Sequence, residues 1–477
     1  MARTTEEKAK RARDGAEDAV YKPVRGAKKP VRIESETPER RTKPAAKRTA
    51  KKETAPADKP AERRTPRKYE PLPKEDTPQQ RRQKREKEHV AAIAKDRRRA
   101  LSRAGDARVT LIALLTAVFE ILGLLLCTFR AEGAVDAQAM KICLLVAPLG
   151  LLTTLALPRL LPIDSLVMAL TNFLCGVGIV VLYTISPARG AKQAVFYAAG
   201  LAVMLIMSEL VFHMRHFRGL TMLGMVLGII ALVLPLAFGE WNNGAKNWVD
   251  IPFVGSFQPS EIVKLSVVLV LAYFFSTHRT VWQMMPALLF AAACLVLLML
   301  QRDLGTALIY YLTTLVLFYA ACGNVPLTVI GMGGGVGAAV LGYQMFAHVK
   351  VRVAMWRNPW SDPTDKGYQI IQALFAIGSG GLFGVGLGQG TPEKIPAYYN
   401  DFIFAVVCEQ LGQVFGMLLL AVYVLLILRG VTVVSRARRS FEMLLGYGVL
   451  TMLSIQTFMI VAGVIKMIPL TGVTMPF

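Results

Sequence analysis

Long apolar segments separated by short polar ones make up most of the chain after residue 108. A helix that crosses a membrane needs about 20 mainly apolar residues. Eleven segments meet this requirement, and the pattern therefore predicts an all-α polytopic membrane protein. The predicted spans are residues 109–129, 140–157, 165–185, 194–212, 219–238, 260–276, 284–301, 304–322, 326–347, 401–428 and 441–466.

Residues 1–108 have the opposite pattern, with many charges and few large apolar side chains. They carry 34 Lys and Arg against 18 Asp and Glu, so +16 of the formal net charge of +22 lies there. This composition predicts a disordered basic tail. We expect either a solvated extension or a polybasic segment held against anionic lipid. Nucleic-acid binding is not expected, because no aromatic residues are interleaved with the charges.

The loops between the predicted spans indicate an orientation, because short loops rich in Lys and Arg stay in the cytoplasm. The tail and every second loop are basic, so the N-terminus is expected to be cytoplasmic. The longest polar interruption, residues 348–400, then lies on the extracytoplasmic side. The basic loops on the cytoplasmic side contain Arg159, residues 213–218, residues 278–279 and residues 429–439.

Two polar clusters open predicted spans. Glu261 and Lys264 are three residues apart, so they share one helical face and can form an ion pair. This pair is expected either to be structural or to form a polar wall inside a cavity. Asp303 stands just before a span and can cap the helix that follows. Ionisable groups at such positions commonly mark a function or a mutual pair.

The segment 348–400 and the start of the next span contain further acids. Asp362 precedes Pro363, a pattern typical of a turn, and Asp365 is the alternative functional acid in that loop. Asp401 is expected to cap the next helix, and Glu409 lies deeper in the span. The glycines between 378 and 390 lack the strand–helix context of a dinucleotide-binding loop, so close packing is the expected role.

Several short motifs occur together and in order. They are Asn243–Trp248, Gln258–Lys264, Asp303–Ala307, Asn358–Pro363, Gly367–Gln372, Ala376–Gly384, Asp401–Ala405 and Pro469–Phe477. As an ordered set they resemble the SEDS family of polytopic membrane proteins, which includes the FtsW, RodA and SpoVE types. Gln410 departs from the family pattern, which has a second Glu there. The family's last core helix has no counterpart in the sequence, so a C-terminally truncated core is expected.

The resemblance implies a peptidoglycan glycosyltransferase that polymerises lipid II at the outer face of a bacterial cytoplasmic membrane. It places the essential loop acid at Asp362 and cavity residues at Glu261 and Lys264. It also implies a class B penicillin-binding protein, a transpeptidase, as partner. The remaining candidate substrate or cavity residues are Asp303, Arg357, Lys366, Gln372, Asp401 and Glu409.

The expected chemistry needs a base at a sugar hydroxyl and positive charge at a departing pyrophosphate. Asp362 is the candidate base, or it holds a divalent cation, Mg²⁺ or Mn²⁺. Lys264 and some of four further basic residues are candidates for stabilising the pyrophosphate charge. These four are Arg352, Arg357, Lys366 and Lys394.

Two alternatives stay open for the function. One is a transporter that flips lipid-linked precursors, and the other is a scaffold for a transpeptidase without activity of its own. The expected domain organisation is the same for all three functions. It consists of a tail at 1–108, two extra spans at 109–160 and a SEDS-like core at 161–477.

Overall fold

The structure is a computed structural model, and it describes residues 107–128, 136–213, 217–242, 245–251, 255–277 and 280–476. The predicted tail, residues 1–108, lies almost wholly outside this part of the chain. Among the described residues, eleven helices are long and apolar enough to cross a membrane. The prediction of an all-α polytopic membrane protein is therefore confirmed.

The helices follow one another along the chain with short connections. They are α1 (Ala107–Thr128), α2 (Ala137–Leu155), α3 (Leu157–Leu160), α4 (Ser165–Ile185), α5 (Pro187–His213), α6 (Arg218–Phe238), α7 (Pro259–Thr277), α8 (Val281–Leu300), α9 (Leu304–Cys322), α10 (Val325–Met345), α11 (Ala347–Arg357), α12 (Tyr368–Gly380), α13 (Ile403–Val434) and α14 (Ser440–Val464). Helices α11 and α12 belong to the long segment between two spans. Two 3-10 turns, Pro359–Ser361 and Pro392–Lys394, complete that segment.

A small antiparallel sheet lies between α6 and α7, where the sequence had indicated only a loop. Strand β2 (Ala245–Ile251) is the centre, with β1 (Glu240–Asn242) on one side and β3 (Gly255–Phe257) on the other. The sheet joins the α8–α9 connection through its backbone, because the Lys246 N–H donates to the Gln301 carbonyl at 2.9 Å.

Side-chain caps fix where several spans begin. Asp164 accepts from the Leu166 and Val167 N–H groups at 3.2 Å, which starts α4. Asn324 does the same for α10 with the Leu327 N–H at 3.0 Å. These bonds satisfy N–H groups that the first helical turn leaves without a partner.

The spans pack around one large apolar core that runs from α4 to α14, and a second cluster joins α1 and α2 to α4 and α5. Leu124, Ile142 and Ile179 are buried in this second cluster. Other apolar side chains point outward, such as Leu144 on α2 and Phe238 on α6. In a membrane these side chains contact lipid, so their exposure agrees with the spanning assignment.

The chain ends in an irregular segment after α14, residues 465–476, which we call the strap. The strap, the sheet, the α8–α9 connection and residues 346–402 contact one another, so they share one end of the bundle, the strand end. The opposite end is the arginine end. It holds Arg159, Arg218, Arg429, Arg436, Arg438 and Arg439.

A bidentate ion pair ties α13 to α4 at the arginine end. The Arg429 Nε and Nη2 atoms lie 3.1 and 2.7 Å from the two Asp164 oxygens. Burial on its own raises the pKa of Asp164. The hydrogen bonds and charge of Arg429, with the Val167 and Leu166 N–H groups, outweigh it and hold that pKa below its usual value.

Asp164→Ala removes a helix cap and one half of this ion pair together. We expect the free energy of unfolding in detergent to fall by about 2–3 kcal/mol, because both sets of hydrogen bonds are lost. The control is Glu442→Ala, which breaks a more exposed pair with Arg439 at 3.5 Å. That change should cost less than about 1 kcal/mol. Equal losses in the two variants would contradict the assignment.

Candidate functional site

A buried lysine stands at the first turn of α7, at the strand end. The Lys264 ammonium lies 2.7 and 2.8 Å from the two Glu261 oxygens, so the predicted pair forms. It also donates to the Gln456 side-chain oxygen at 2.9 Å. The Lys264 side chain is 8% exposed and that of Glu261 40% exposed. The Glu261 carboxylate therefore faces the outside of the bundle, and the Lys264 ammonium faces the interior.

Asp303 caps α9, as its sequence position predicts, and accepts from the Thr306 N–H at 3.1 Å. Its other oxygen accepts from the amides of Asn247 at 3.0 Å and Gln258 at 2.9 Å. Asp303 is 5% exposed. A buried carboxylate with three donors is held in one orientation, so Asp303 joins the sheet, the start of α7 and the start of α9.

Asp401 does not cap α13, because the N-cap residue is Phe402, which makes no side-chain cap bond. The prediction of a cap was wrong. Asp401 is half-buried near two charged groups, Arg352 and Asp303. Burial raises its pKa to about 6, Asp303 adds to the rise, and Arg352 opposes it. Its carboxylate thus belongs to the polar interior of the strand end.

Arg352 is also directed into the interior, although the sequence offered it as a charge for pyrophosphate. Its Nη1 atom donates to the carbonyls of Thr471 at 3.1 Å and Leu470 at 3.5 Å. Burial lowers the pKa of Arg352, and Asp401 and Asp303 act in the opposite direction. The guanidinium therefore holds the strap.

Asp362 lies directly after the 3-10 turn Pro359–Ser361, so its turn position is confirmed. Its N–H donates to the Pro359 carbonyl at 3.3 Å, and its carbonyl accepts from the Gly367 N–H at 2.9 Å. A Cβ at Gly367 would lie 2.1 Å from the Pro359 oxygen, so only glycine closes this turn. The half-buried Asp362 carboxylate makes no hydrogen bond or ion pair with any described residue. It is left available to a ligand.

Three further candidates lie around this turn. Arg357 ends α11 and Lys366 precedes Gly367, and both side chains are exposed. Gln372 is half-buried on α12. None of the three bonds to Asp362, and no hydrogen bond within the described residues joins Asp362 to Lys264. Asp362 and Lys264 are therefore linked through the chain segments that carry them and not by a direct hydrogen bond.

Glu409 belongs to a different part of the strand end, where α13 is broken. Gly412 has φ +91° and ψ 163°, which is not helical. The glycine-rich loop after α12 supplies the missing bonds. The Val385 and Gly386 N–H groups donate to the Glu409 and Gln410 carbonyls at 2.9 and 3.0 Å. The backbone at the break is thereby satisfied away from water.

The Glu409 and Gln410 side chains strengthen the same contact. The Glu409 Oε1 atom accepts from the Thr391 N–H at 3.0 Å. The Gln410 Oε1 atom accepts from the Thr184 hydroxyl at 3.0 Å and the Gly388 N–H at 3.3 Å. Both residues therefore fix the glycine-rich loop. The close packing predicted for these glycines is present at Gly380, Gly384 and Gly390, whereas a Cβ at Gly378 or Gly381 would meet nothing within 4 Å.

Sequence reasoning missed the donors that hold the strap. Besides Arg352, they are the Trp356 Nε1 atom, bonded to the Lys466 carbonyl at 3.1 Å, and the Gln456 amide, bonded to the Thr474 carbonyl at 2.7 Å. One signal existed: Arg352 and Trp356 are four residues apart, so they share a face of α11. No neighbouring residue in the sequence indicated that this face of α11 contacts the strap.

Comparisons with known proteins agree with this architecture. Residues 164–477 match the family described as Cell cycle protein, FtsW/RodA/SpoVE. The chain belongs to this family. It is 31% identical to peptidoglycan glycosyltransferase RodA of Mycobacterium tuberculosis (strain ATCC 25618 / H37Rv) over 358 residues, covering 68% of this chain and 75% of that protein.

Two further comparisons span most of their counterparts. Stage V sporulation protein E of Bacillus subtilis (strain 168) is 32% identical over 340 residues, covering 66% of this chain and 90% of that protein. A solved structure of a peptidoglycan synthase complex, described as coordinating polymerization and crosslinking, has a TM-score of 0.54 and 25% identity. It covers 65% of this chain and 89% of that one. The spans from α4 onward therefore form the family core, whereas α1 and α2 precede the matched residues.

Substitution of one glycine next to the α13 break should strongly destabilise the protein. A Cβ at Gly380 would lie 2.1 Å from the Cys408 carbonyl oxygen, whereas a Cβ at Gly378 would meet nothing within 4 Å. Gly380→Ala is therefore expected to destabilise the protein by about 3 kcal/mol or more, and Gly378→Ala by none. Thermal unfolding of the purified variants distinguishes them. If both variants unfold alike, the close approach of α12 to α13 is refuted.

The Lys264–Glu261 pair makes a second prediction about stability. Glu261→Gln leaves the buried ammonium without its counter-charge and should cost about 2 kcal/mol, reduced from the fully buried case by the exposure of Glu261. Adding Lys264→Met to this variant removes the buried ammonium that has lost its counter-charge. The double variant is expected to be more stable than Glu261→Gln alone in a denaturant titration, and the opposite order would refute the pairing.

Proposed function

We propose that this chain is a peptidoglycan glycosyltransferase that polymerises lipid II. The observation that carries the proposal is the placement of two groups at the strand end of a membrane-embedded bundle. One is the free carboxylate of Asp362, and the other is the buried Lys264–Glu261 pair. The names of the related proteins support the same reaction class.

The proposed reaction is a single displacement at the anomeric carbon of the donor. Asp362 accepts the proton of the acceptor sugar hydroxyl as its oxygen attacks. A new carbon–oxygen bond forms, the bond to the pyrophosphate oxygen breaks, and lipid pyrophosphate leaves with the bonding electrons. The anomeric configuration is inverted. A positioned general base of this kind typically contributes about 10²–10⁴-fold to the rate.

Positive charge near the departing pyrophosphate comes from exposed basic residues of the loop, because the buried Lys264 ammonium is already bonded to Glu261 and Gln456. Arg357 and Lys366 flank the Asp362 turn and are free of other partners in the described part of the chain. Lys394 lies further along the same segment. Arg352 is excluded from this role, because its guanidinium is already bonded to the strap. Charge placed where charge develops stabilises the transition state.

A divalent cation, Mg²⁺ or Mn²⁺, held by Asp362 is the alternative to Asp362 acting as the base. No group of three or more His, Cys, Asp or Glu side chains within the described residues could hold a metal ion. A single carboxylate still fits Mg²⁺, which is often held by one or two carboxylates together with substrate phosphates and water. Asp362 would hold the ion, and the ion would neutralise pyrophosphate charge.

We further propose the surroundings in which this reaction takes place. The strand end faces outward from a bacterial cytoplasmic membrane, and the arginine end faces the cytoplasm with the N-terminal tail. The partner is a class B penicillin-binding protein that crosslinks the new strands. The solved complex that resembles this chain pairs polymerization with crosslinking, which supports a partner of that kind.

Asp362→Asn is expected to lower the rate of lipid II polymerisation at least 10²-fold, because the amide cannot accept the proton. The control is Asp365→Asn, which removes a more exposed carboxylate three residues on in the same loop and should retain most of the activity. The measurement is the length and amount of glycan formed from labelled lipid II by the purified full chain in detergent, with and without its transpeptidase. Full activity of Asp362→Asn would refute the assignment.

The same assay distinguishes the two other functions. Lipid II in detergent has no membrane to cross, so a flippase produces no polymer there. A scaffold also produces none, whether or not the transpeptidase is present. Polymer formed by the wild-type chain and lost in Asp362→Asn therefore supports the glycosyltransferase against both.

A further inference from the structure

Helix α11 leads directly into the turn that carries Asp362, and it has no fully buried residue. Two side chains on one of its faces dock it onto the strap. Arg352 bonds to the Leu470 and Thr471 carbonyls, and Trp356 bonds to the Lys466 carbonyl at 3.1 Å. With little apolar burial available, these hydrogen bonds determine where α11 lies.

The strap is bound at its other end to the lysine site. Gln456 donates to the Thr474 carbonyl at 2.7 Å and accepts from the Lys264 ammonium at 2.9 Å. Thr474 is three residues from Thr471, the main acceptor of Arg352. A short stretch of irregular backbone therefore joins the group that holds α11 to the group that holds Lys264.

The surroundings of Arg352 are tightly built. Gly472 has φ +69°, and a Cβ there would lie 3.6 Å from the Arg352 Nη2 atom and 3.8 Å from an Asp401 oxygen. The charged groups that face this site are Asp401 before α13 and Asp303 before α9. Burial lowers the pKa of His348 on α11, and the charges of Arg352 and of Arg302 in the α8–α9 connection lower it further, so all three groups lie near one another.

We propose that Arg352 is a positioning residue that clamps α11 to the strap and so fixes Asp362 relative to Lys264. Arginine suits this role because its planar guanidinium can bond two neighbouring carbonyls and still face a carboxylate. The ionised Asp401 carboxylate holds the guanidinium in place by its charge. The effect on catalysis rests on the proposed function, whereas the clamp itself does not.

Loss of the clamp should act on turnover more than on binding. In Arg352→Gln the Leu470 and Thr471 carbonyls lose their charged donor, and Asp362 is no longer held at a fixed distance from Lys264. Small misplacements of reacting groups can cost about 10²-fold in rate. We therefore expect kcat to fall by about that factor, with KM for lipid II nearly unchanged.

The clamp also predicts a dependence on pH. Protonation of Asp401, whose pKa burial raises to about 6, removes the charge that holds Arg352. Polymerisation by the wild-type chain should therefore decrease as the pH falls through about 6. Arg352→Gln has no guanidinium for the Asp401 charge to hold, so this acidic limb should be absent in that variant. Arg352→Lys keeps the positive charge and should keep the limb in place.

The test compares Arg352→Gln and Arg352→Lys with Lys350→Gln, which removes an exposed charge from the same helix. Hydrogen exchange of residues 465–476 is measured on the full chain in detergent, and polymerisation is measured from pH 5 to 8. We expect faster strap exchange in Arg352→Gln, intermediate exchange in Arg352→Lys and wild-type behaviour in Lys350→Gln. Unchanged strap exchange in Arg352→Gln, or an acidic limb at about pH 6 that persists in this variant, would overturn the proposal.

Asp401→Asn provides a second route if Arg352→Gln does not fold. Asp401→Asn should show faster hydrogen exchange of the strap at pH 7.5 than the wild type. The wild-type strap should exchange faster at pH 5.5 than at pH 7.5, and this difference should be absent in Asp401→Asn. A strap that keeps the wild-type response to pH in this variant also overturns the proposal. If the wild-type chain forms no polymer, the proposed function fails, and strap exchange alone still decides whether Arg352 is the clamp.

Discussion

The structure depends on one constraint, which is that irregular backbone inside a membrane-embedded bundle must find hydrogen-bond partners within the protein. The strap and the break in α13 are the two places where this constraint acts most strongly. At the strap, carbonyls of Leu470, Thr471 and Thr474 accept from side chains of α11 and α14. At Gly412, the glycine-rich loop supplies the partners instead.

Each of these solutions joins segments that are distant in sequence. The strap brings α11 and the α7 lysine into one connected set, and the α13 break holds the loop that follows α12. The long segment 346–402 is therefore bound at both ends to membrane-embedded backbone. Such a segment can carry an exposed carboxylate at a defined position, which is what catalysis on a lipid-linked sugar requires.

Much of this organisation was predictable from the sequence, and the reasons are local. The spans follow from apolar length, the Asp303 cap and the Glu261–Lys264 pair from spacing along a helix, and the Asp362 turn from Asp before Pro. The sheet was missed because its strands are short and lie in a polar connection. The Asp401 prediction failed because its partners, Arg352 and Asp303, come from elsewhere in the chain, and capping considers only neighbours. The binding of the strap by Arg352 and Gln456 could not be predicted either, because their partners also lie elsewhere in the chain.

The central claim is that Asp362 and the Lys264–Glu261 pair belong to one site that binds the two reacting lipid II molecules, although no hydrogen bond joins them directly. The most direct test is an experimental structure of the full chain, with its transpeptidase, bound to lipid II or an unreactive analogue. The account predicts that the sugar and pyrophosphate of a bound lipid lie at the strand end and contact the Asp362 carboxylate or the Lys264 site. A head group bound at the arginine end, or in contact with neither, would contradict it.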